Sequence, residues 1–174
     1  MWRILQAVAI AGSTFFLGTA ALAYRAKKRL RSDFNYAMQV LAAGTVKRAR
    51  AEQKISLDYS VASVDEVERV LGEHHNRHLQ RPIEEQEIVV LSRRWGAYIG
   101  EVMKRVRPGQ WRRDSEKAGA GTMPLIFGDI EAFPCSWAYK RIADGPEDNI
   151  VFKFQVFSDE QLRESIGLDR AKPR

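Results

Sequence analysis

The sequence predicts an α+β fold: a small, mostly antiparallel sheet packed on helices, preceded by a single transmembrane helix and a helical spacer. Three observations carry that prediction. Apolar residues between 88 and 106 recur at spacings of three or four, the period of a helix with one buried face. Short apolar segments broken by Gly, Pro and Asp fill 111–133, as strands and tight turns do. The elements alternate as strand, helix, helix, strand, strand, helix, helix, the order of an α+β domain.

The chain opens on Ile4–Tyr24, a run of 21 residues without a charge. About 20 helical residues cross the hydrocarbon core of a bilayer, so residues 1–24 read as a membrane anchor. Two other readings stay open. Ala21-Leu22-Ala23 offers a signal-peptidase-like site, and a moderately apolar helix can also be a buried core helix. Cleavage is disfavoured because Arg3 alone precedes the run and Arg25, Lys27, Lys28, Arg29 and Arg31 follow it at once. That same bias, by the positive-inside rule, places the N-terminus outside and residues 25–174 in the cytoplasm. The predicted location is the inner (cell) membrane, single-pass.

Residues 25–54 read as a basic juxtamembrane spacer. Phe34, Met38, Leu41 and Val46 give a loose apolar face, Gly44 interrupts it, and Lys47, Arg48, Arg50 and Lys54 end it. A solvated spacer helix is preferred over an amphipathic arm lying on the membrane.

Charge follows this division. The net +6 comes from residues 1–54, with ten Lys and Arg against two acidic residues; residues 55–174 carry eighteen against twenty. A nucleic-acid-binding domain wants its basic face on the domain itself, so that class is excluded. A basic arm beside an apolar run suits anionic lipid, so membrane lipid is the partner expected of residues 4–24 and the arm. The single cysteine, Cys135, can form no internal disulfide, and the fold must stand on its core.

Residues 55–168 form the predicted globular domain, with 169–174 as a frayed tail. Ile55–Tyr59 alternates as a strand. Ser63-Val-Asp-Glu66 has the pattern of a capping box, opening a helix with Val64, Val67, Val70 and Leu71 on one face and reaching about Leu79. Pro82 fits the first turn of the next helix, whose stripe is Ile88, Leu91, Trp95, Ile99, Val102 and Val106 and whose stop is Pro108-Gly109. Ser92, Gly96 and Gly100 make a second stripe at i, i+4. Helix interiors tolerate two such glycines where another backbone packs closely, a core neighbour before a partner or ligand.

Trp111–Asp114 and Met123–Phe127 read as strands around a loop over 115–122, with a turn at Gly128-Asp129. Phe133-Pro134 opens a helix. Asp144-Gly145-Pro146 breaks it, and Pro146 starts another with Ile150, Val151, Phe154 and Phe157 on its apolar side. Ser158–Gln161 resembles a cap for a short terminal helix.

Leu57-Asp-Tyr-Ser60, Ser63-Val-Asp-Glu-Val67, Gly96-Ala-Tyr-Ile-Gly-Glu-Val102, Trp111, Phe133-Pro134, Tyr139-Lys-Arg141 and Gly145-Pro-Glu-Asp148 resemble, in order and spacing, a bacterial domain family of unknown function. The Gly-Ala-Tyr-Ile-Gly-Glu-Val helix is its clearest mark. The resemblance covers roughly residues 55–157. It implies a single-domain accessory or toxin-immunity type of binder and brings no catalytic residues with it.

Chemistry-bearing constellations are sparse. Glu73-His74-His75-Asn76-Arg77-His78 holds all three histidines. His74 and His78 have two-ligand spacing, but nothing in the sequence completes the set, and a polar helix end is the simpler reading. Cys135 near a helix start has a position that can lower a thiol pKa, yet a buried structural cysteine is expected. Glu101 and Asp129 are an unremarkable carboxylate pair. Gly119-Ala-Gly121 lacks the lysine of a phosphate loop. No cofactor or metal is called for.

The most suggestive surface is aromatic and basic: Trp95, Tyr98, Trp111, Arg112, Arg113, Trp137, Tyr139, Lys140 and Arg141. Trp, Tyr and Arg are common interface anchors. Tyr98, Arg112, Tyr139 and Arg141 are the predicted shared exposed patch for a protein partner. The function expected is therefore a membrane-tethered, non-enzymatic binding or accessory protein. Two alternatives stand beside it: an enzyme using Glu101 or the histidine helix, and an exported immunity-like binder with a cleaved signal peptide. A solvent-lined cleft containing Glu101 and Tyr98 would favour the enzyme.

Overall fold

The computed structural model describes residues 22–159. The chain falls into two compact units, Met1–Ala37 and Met38–Arg174. The run 4–24 lies, apart from its last three residues, outside the described residues, as do the terminal helix and the tail predicted after Ser158. Among the described residues no helix is long and apolar enough to cross a membrane.

In the first unit, residues 22–32 are helical (α1) and α2 (Phe34–Arg48) begins. Asp33 lies between them. Its carboxylate accepts the Tyr36 amide at 2.9 Å, as an N-capping aspartate does. Arg29 reaches back over this junction, 3.7 Å from the Asp33 carboxylate and 4.0 Å above the Tyr36 ring.

From Met38 onward α2 belongs to the second unit. Met38, Ala42, Thr45 and Ala49 are buried, a narrow stripe of mostly small residues. Thr45 Oγ1 donates to the Leu41 and Arg94 carbonyls at 3.0 and 3.1 Å, pinning α2 against the helix that carries Arg94. This half of the predicted spacer is thus packed rather than solvated, because small residues let the two backbones approach. A π-helical turn (Ala49–Gln53) ends α2, with Lys54 in the left-handed region at φ 60°.

Residues 55–59 do not form a strand. Their alternation buries Leu57, but among the described residues no strand pairs with them, and Tyr59 at φ 63° breaks the extended run. α3 (Ser63–Gln80) follows. Its cap is not the predicted box: Ser63 is the first helical residue, and Ser60 Oγ accepts the Ser63 amide at 3.2 Å. Val64, Val67, Val70 and Leu71 are buried as expected.

Pro82 lies in the connection, three residues before α4 (Glu85–Val106) begins. Glu85 and Glu87 occupy the first turn and Lys104 and Arg105 the last, matching the helix dipole. The predicted stripe holds at Ile88, Trp95, Ile99 and Val102, but Val106 is exposed. Burial exceeds a single face: Trp95 to Met103 are all buried, so α4 is the central helix. The glycine stripe makes this possible. A Cβ at Gly96 would lie 2.4 Å from Cys135 Cα, and one at Gly100 would lie 2.1 Å from the Trp111 ring. Both glycines serve core neighbours, as the sequence suggested.

The sheet has three antiparallel strands in the order β1 (Gln110–Trp111), β2 (Leu125–Phe127) and β3 (Ile130–Ala132). Trp111 pairs with Leu125 and Leu125 with Ala132. β3 is unforeseen; it is the second arm of the hairpin turned at Gly128-Asp129. α5 (Pro134–Ala143) packs along α4. Pro146–Asp148 is only a 3-10 turn. α6 (Ile150–Ser158) starts after it, where Asn149 Oδ1 accepts the Phe152 amide at 2.8 Å. Ile150, Phe154 and Phe157 are buried, and the Phe157 ring lies 4.6 Å from Phe127 of β2.

Candidate functional site

The predicted patch does not exist as one surface. Tyr98 and Arg141 are buried, Tyr139 is half-buried and only Arg112 is exposed. Tyr98 sits among the nine consecutive buried residues of α4, and its hydroxyl is committed. The Tyr59 amide donates to it at 2.9 Å, it donates to Ser63 Oγ at 2.6 Å, and Ser63 Oγ donates to the Ser60 carbonyl at 2.6 Å. Burial raises the Tyr98 phenol pKa above its ordinary value, against a smaller opposing effect of the Ser63 hydrogen bond. The chain of hydroxyls holds the loop 55–62 and the start of α3 on α4.

Arg141 is a keystone of the same kind. Its Nε donates to Glu68 Oε1 at 2.6 Å, and Glu68 Oε2 accepts the Ile150 amide at 2.8 Å. One half-buried carboxylate from α3 thus joins α5 to the first residue of α6. An arginine in the interior needs such a partner, because an unpaired buried charge is costly. Glu101, the candidate acid of the enzyme reading, accepts from Trp111 Nε1 and from Lys104 Nζ, both at 3.0 Å. It ties β1 to α4.

The three histidines are dispersed in role. His75 is buried and donates from Nδ1 to the Ile142 carbonyl at 2.9 Å. His78 Nδ1 accepts the Ile83 amide at 3.0 Å. His74 has its pKa lowered, first by burial and then by Arg77. Among the described residues no group of His, Cys, Asp and Glu could hold a metal ion. Cys135 is buried, as expected of a structural cysteine, and burial pushes its thiol up to about 12. Desolvation against Gly96 outweighs any benefit of the helix end.

What the fold does assemble is a groove of about 640 Å³ on the other side of α5. Four elements build it. α4 supplies Val89 and Arg93. The loop before β2 supplies Ala118, Gly121, Thr122 and Met123. α5 supplies Ser136, Trp137 and Lys140, and α6 supplies Lys153. Helical spacing explains the α5 contribution: Ala138, Arg141 and Ile142 face inward, leaving 136, 137 and 140 on the opposite side, with the buried Cys135 at the groove's border. The loop is shaped by Ser115, which is buried, donates to Glu131 at 2.5 Å and accepts the Lys117 and Ala118 amides at 3.0 and 2.9 Å.

The groove is apolar below and basic at its edge. Met123, Phe133 and Trp137 are half-buried; Arg93 and Lys140 are exposed. Lys153 is ion-paired with Asp148. Of the nine aromatic and basic residues singled out in the sequence, Trp137 and Lys140 meet here. Arg93, Met123 and Lys153 carried no signal in the sequence, since only the packing of α4 and α6 beside α5 brings them to one place.

Comparisons of the chain with family models, with curated proteins and with solved structures find no match.

Proposed function

We propose that this is a membrane-tethered, non-enzymatic binding or accessory protein that contacts a protein partner through the groove between α4, α5 and α6. The observation that carries the reading is the groove's make-up: a half-buried tryptophan over an apolar floor, beside exposed Arg93 and Lys140. Trp and Arg are the side chains most enriched where partners bind tightly. The groups the enzyme reading would use are engaged within the fold: Glu101 with Trp111 and Lys104, and His75 and His78 of the histidine helix with the Ile142 carbonyl and the Ile83 amide.

The tether is the uncharged run 4–24, with the five basic residues of 25–31 on its cytoplasmic side. The α+β domain then stands at the cytoplasmic face of the inner membrane. The resemblance of residues 55–157 to a bacterial domain family of accessory or immunity type accords with a binding role.

The test uses the full chain in bacterial cells, with a photo-crosslinking residue in place of Ser136 in the groove. A discrete protein adduct in the membrane fraction is expected, and none with the same residue in place of the exposed Asn76 of α3. Equal adducts at both positions, or none at Ser136, would contradict the reading. A reporter after Arg174 that is active only outside the cytoplasm should stay silent, with the N-terminal run retained by intact mass. An active reporter would overturn the orientation.

A further inference from the structure

We infer that the segment seated in the groove is an acidic peptide, with carboxylate side chains flanking an apolar or aromatic residue. This rests on the protein-binding reading above and adds the chemistry of the partner. Arg93 comes from α4 and Lys140 from α5. Neither side chain has a hydrogen bond or ion pair among the described residues, whereas the third cation, Lys153, is already neutralised by Asp148. Two positive charges are therefore left over at the groove.

That excess is local. The folded unit from Met38 onward holds twenty-two basic and twenty-one acidic residues, so the groove is a positive spot on a nearly neutral domain. Such a spot selects anionic partners and repels the wrong ones. The apolar side of the occupant follows from Met123, Phe133 and Trp137, which a simple anion would leave uncovered. A nucleic acid would require a basic face across the domain, and an anionic bilayer favours a cluster of several cations rather than two at a groove edge. The volume is in the range, about 300–1,000 Å³, of clefts that enclose a compact ligand or a few side chains.

The experiment takes the full chain in detergent micelles and two pools of short, fluorescently labelled peptides. One pool alternates Asp or Glu with Phe, Leu or Trp; the other replaces each acid by Asn or Gln. Two exposed cations predict about tenfold tighter binding of the acidic pool at low ionic strength. The advantage should vanish in about 1 M salt, where the screening length falls to about 3 Å. It should also vanish in the Arg93→Gln, Lys140→Gln double variant, whose thermal unfolding is expected to be unchanged. Equal binding of the two pools, lost in Trp137→Ala, would overturn the acidic inference and leave the groove a peptide site. Failure of both pools would overturn the protein-binding reading as well. So would binding of phosphatidylglycerol vesicles, lost in the double variant, in place of either pool.

Discussion

Lys140 and Arg141 are sequence neighbours of the same charge on one helix, yet the fold uses them in opposite ways. One residue is about 100° of helical rotation. Arg141 therefore points inward, where Glu68 of α3 holds it, and Lys140 points outward into the groove with no hydrogen bond or ion pair among the described residues. A basic residue in an aromatic context can be a structural bolt or a docking contact, and only its helical phase against the core tells which. One turn earlier the division is less complete: Cys135 is pressed on Gly96 and also borders the groove beside Ser136.

The comparison breaks most visibly at Arg141. Arg141→Ala leaves the half-buried Glu68 carboxylate without its cation and should cost about 2–4 kcal/mol in urea unfolding, somewhat less than breaking a fully buried pair. Glu68→Gln should cost at least as much, because an amide oxygen still accepts the Ile150 amide but the more deeply buried Arg141 loses its anion. An Arg141→Ala protein as stable as the wild type would mean that the inner face of α5 is not bolted in this way.

Next in size is the contact of α5 with α4. Gly96→Ala places a methyl against backbone atoms of Cys135, which cannot swing aside as a side chain can. A loss of about 1–3 kcal/mol is expected from overpacking, in spite of the helix propensity that alanine brings. Gly44 is the control: nothing lies within 4 Å of a Cβ there, so Gly44→Ala should stabilise by about 1 kcal/mol. Thermal unfolding of the two variants should move in opposite directions.

The buried thiol gives a pH signature. Folding raises the Cys135 pKa from 9.0 to about 12. Its contribution is fully present below pH 9. Above that the unfolded chain releases a proton that the folded chain keeps, so stability falls as pH rises from 9 towards 12. Alkylation at pH 8 should be slow in the folded protein and fast in urea. Rapid labelling of the native state would show the inner face of α5 to be open.

Much of the fold was legible because its signals are local. The α4 stripe, the valine face of α3 and the Gly128-Asp129 turn depend on residues within a few positions of one another. Tyr59 and Tyr98 show where that stops. The alternation over 55–59 is real, but a strand exists only beside another strand, and the partner there is a tyrosine hydroxyl 39 residues away. Tyr98 and Arg141 were misplaced for a related reason. Polar and aromatic residues look exposed in a sequence unless their partners, here Ser63 and Glu68, are known to be adjacent. The groove needed α4, α5, α6 and a loop together, and no window of sequence contains all four; only Trp137 and Lys140 marked it in advance.

The claim that α5 holds the fold with one face and binds with the other is tested most directly by Lys140→Glu in the full chain, read two ways. Crosslinking from position 136 and the urea midpoint are measured on the same variant. The account predicts that the adduct disappears while stability changes by no more than about 0.5 kcal/mol, as for an exposed surface substitution. An adduct that persists at wild-type intensity on an equally stable protein would contradict it.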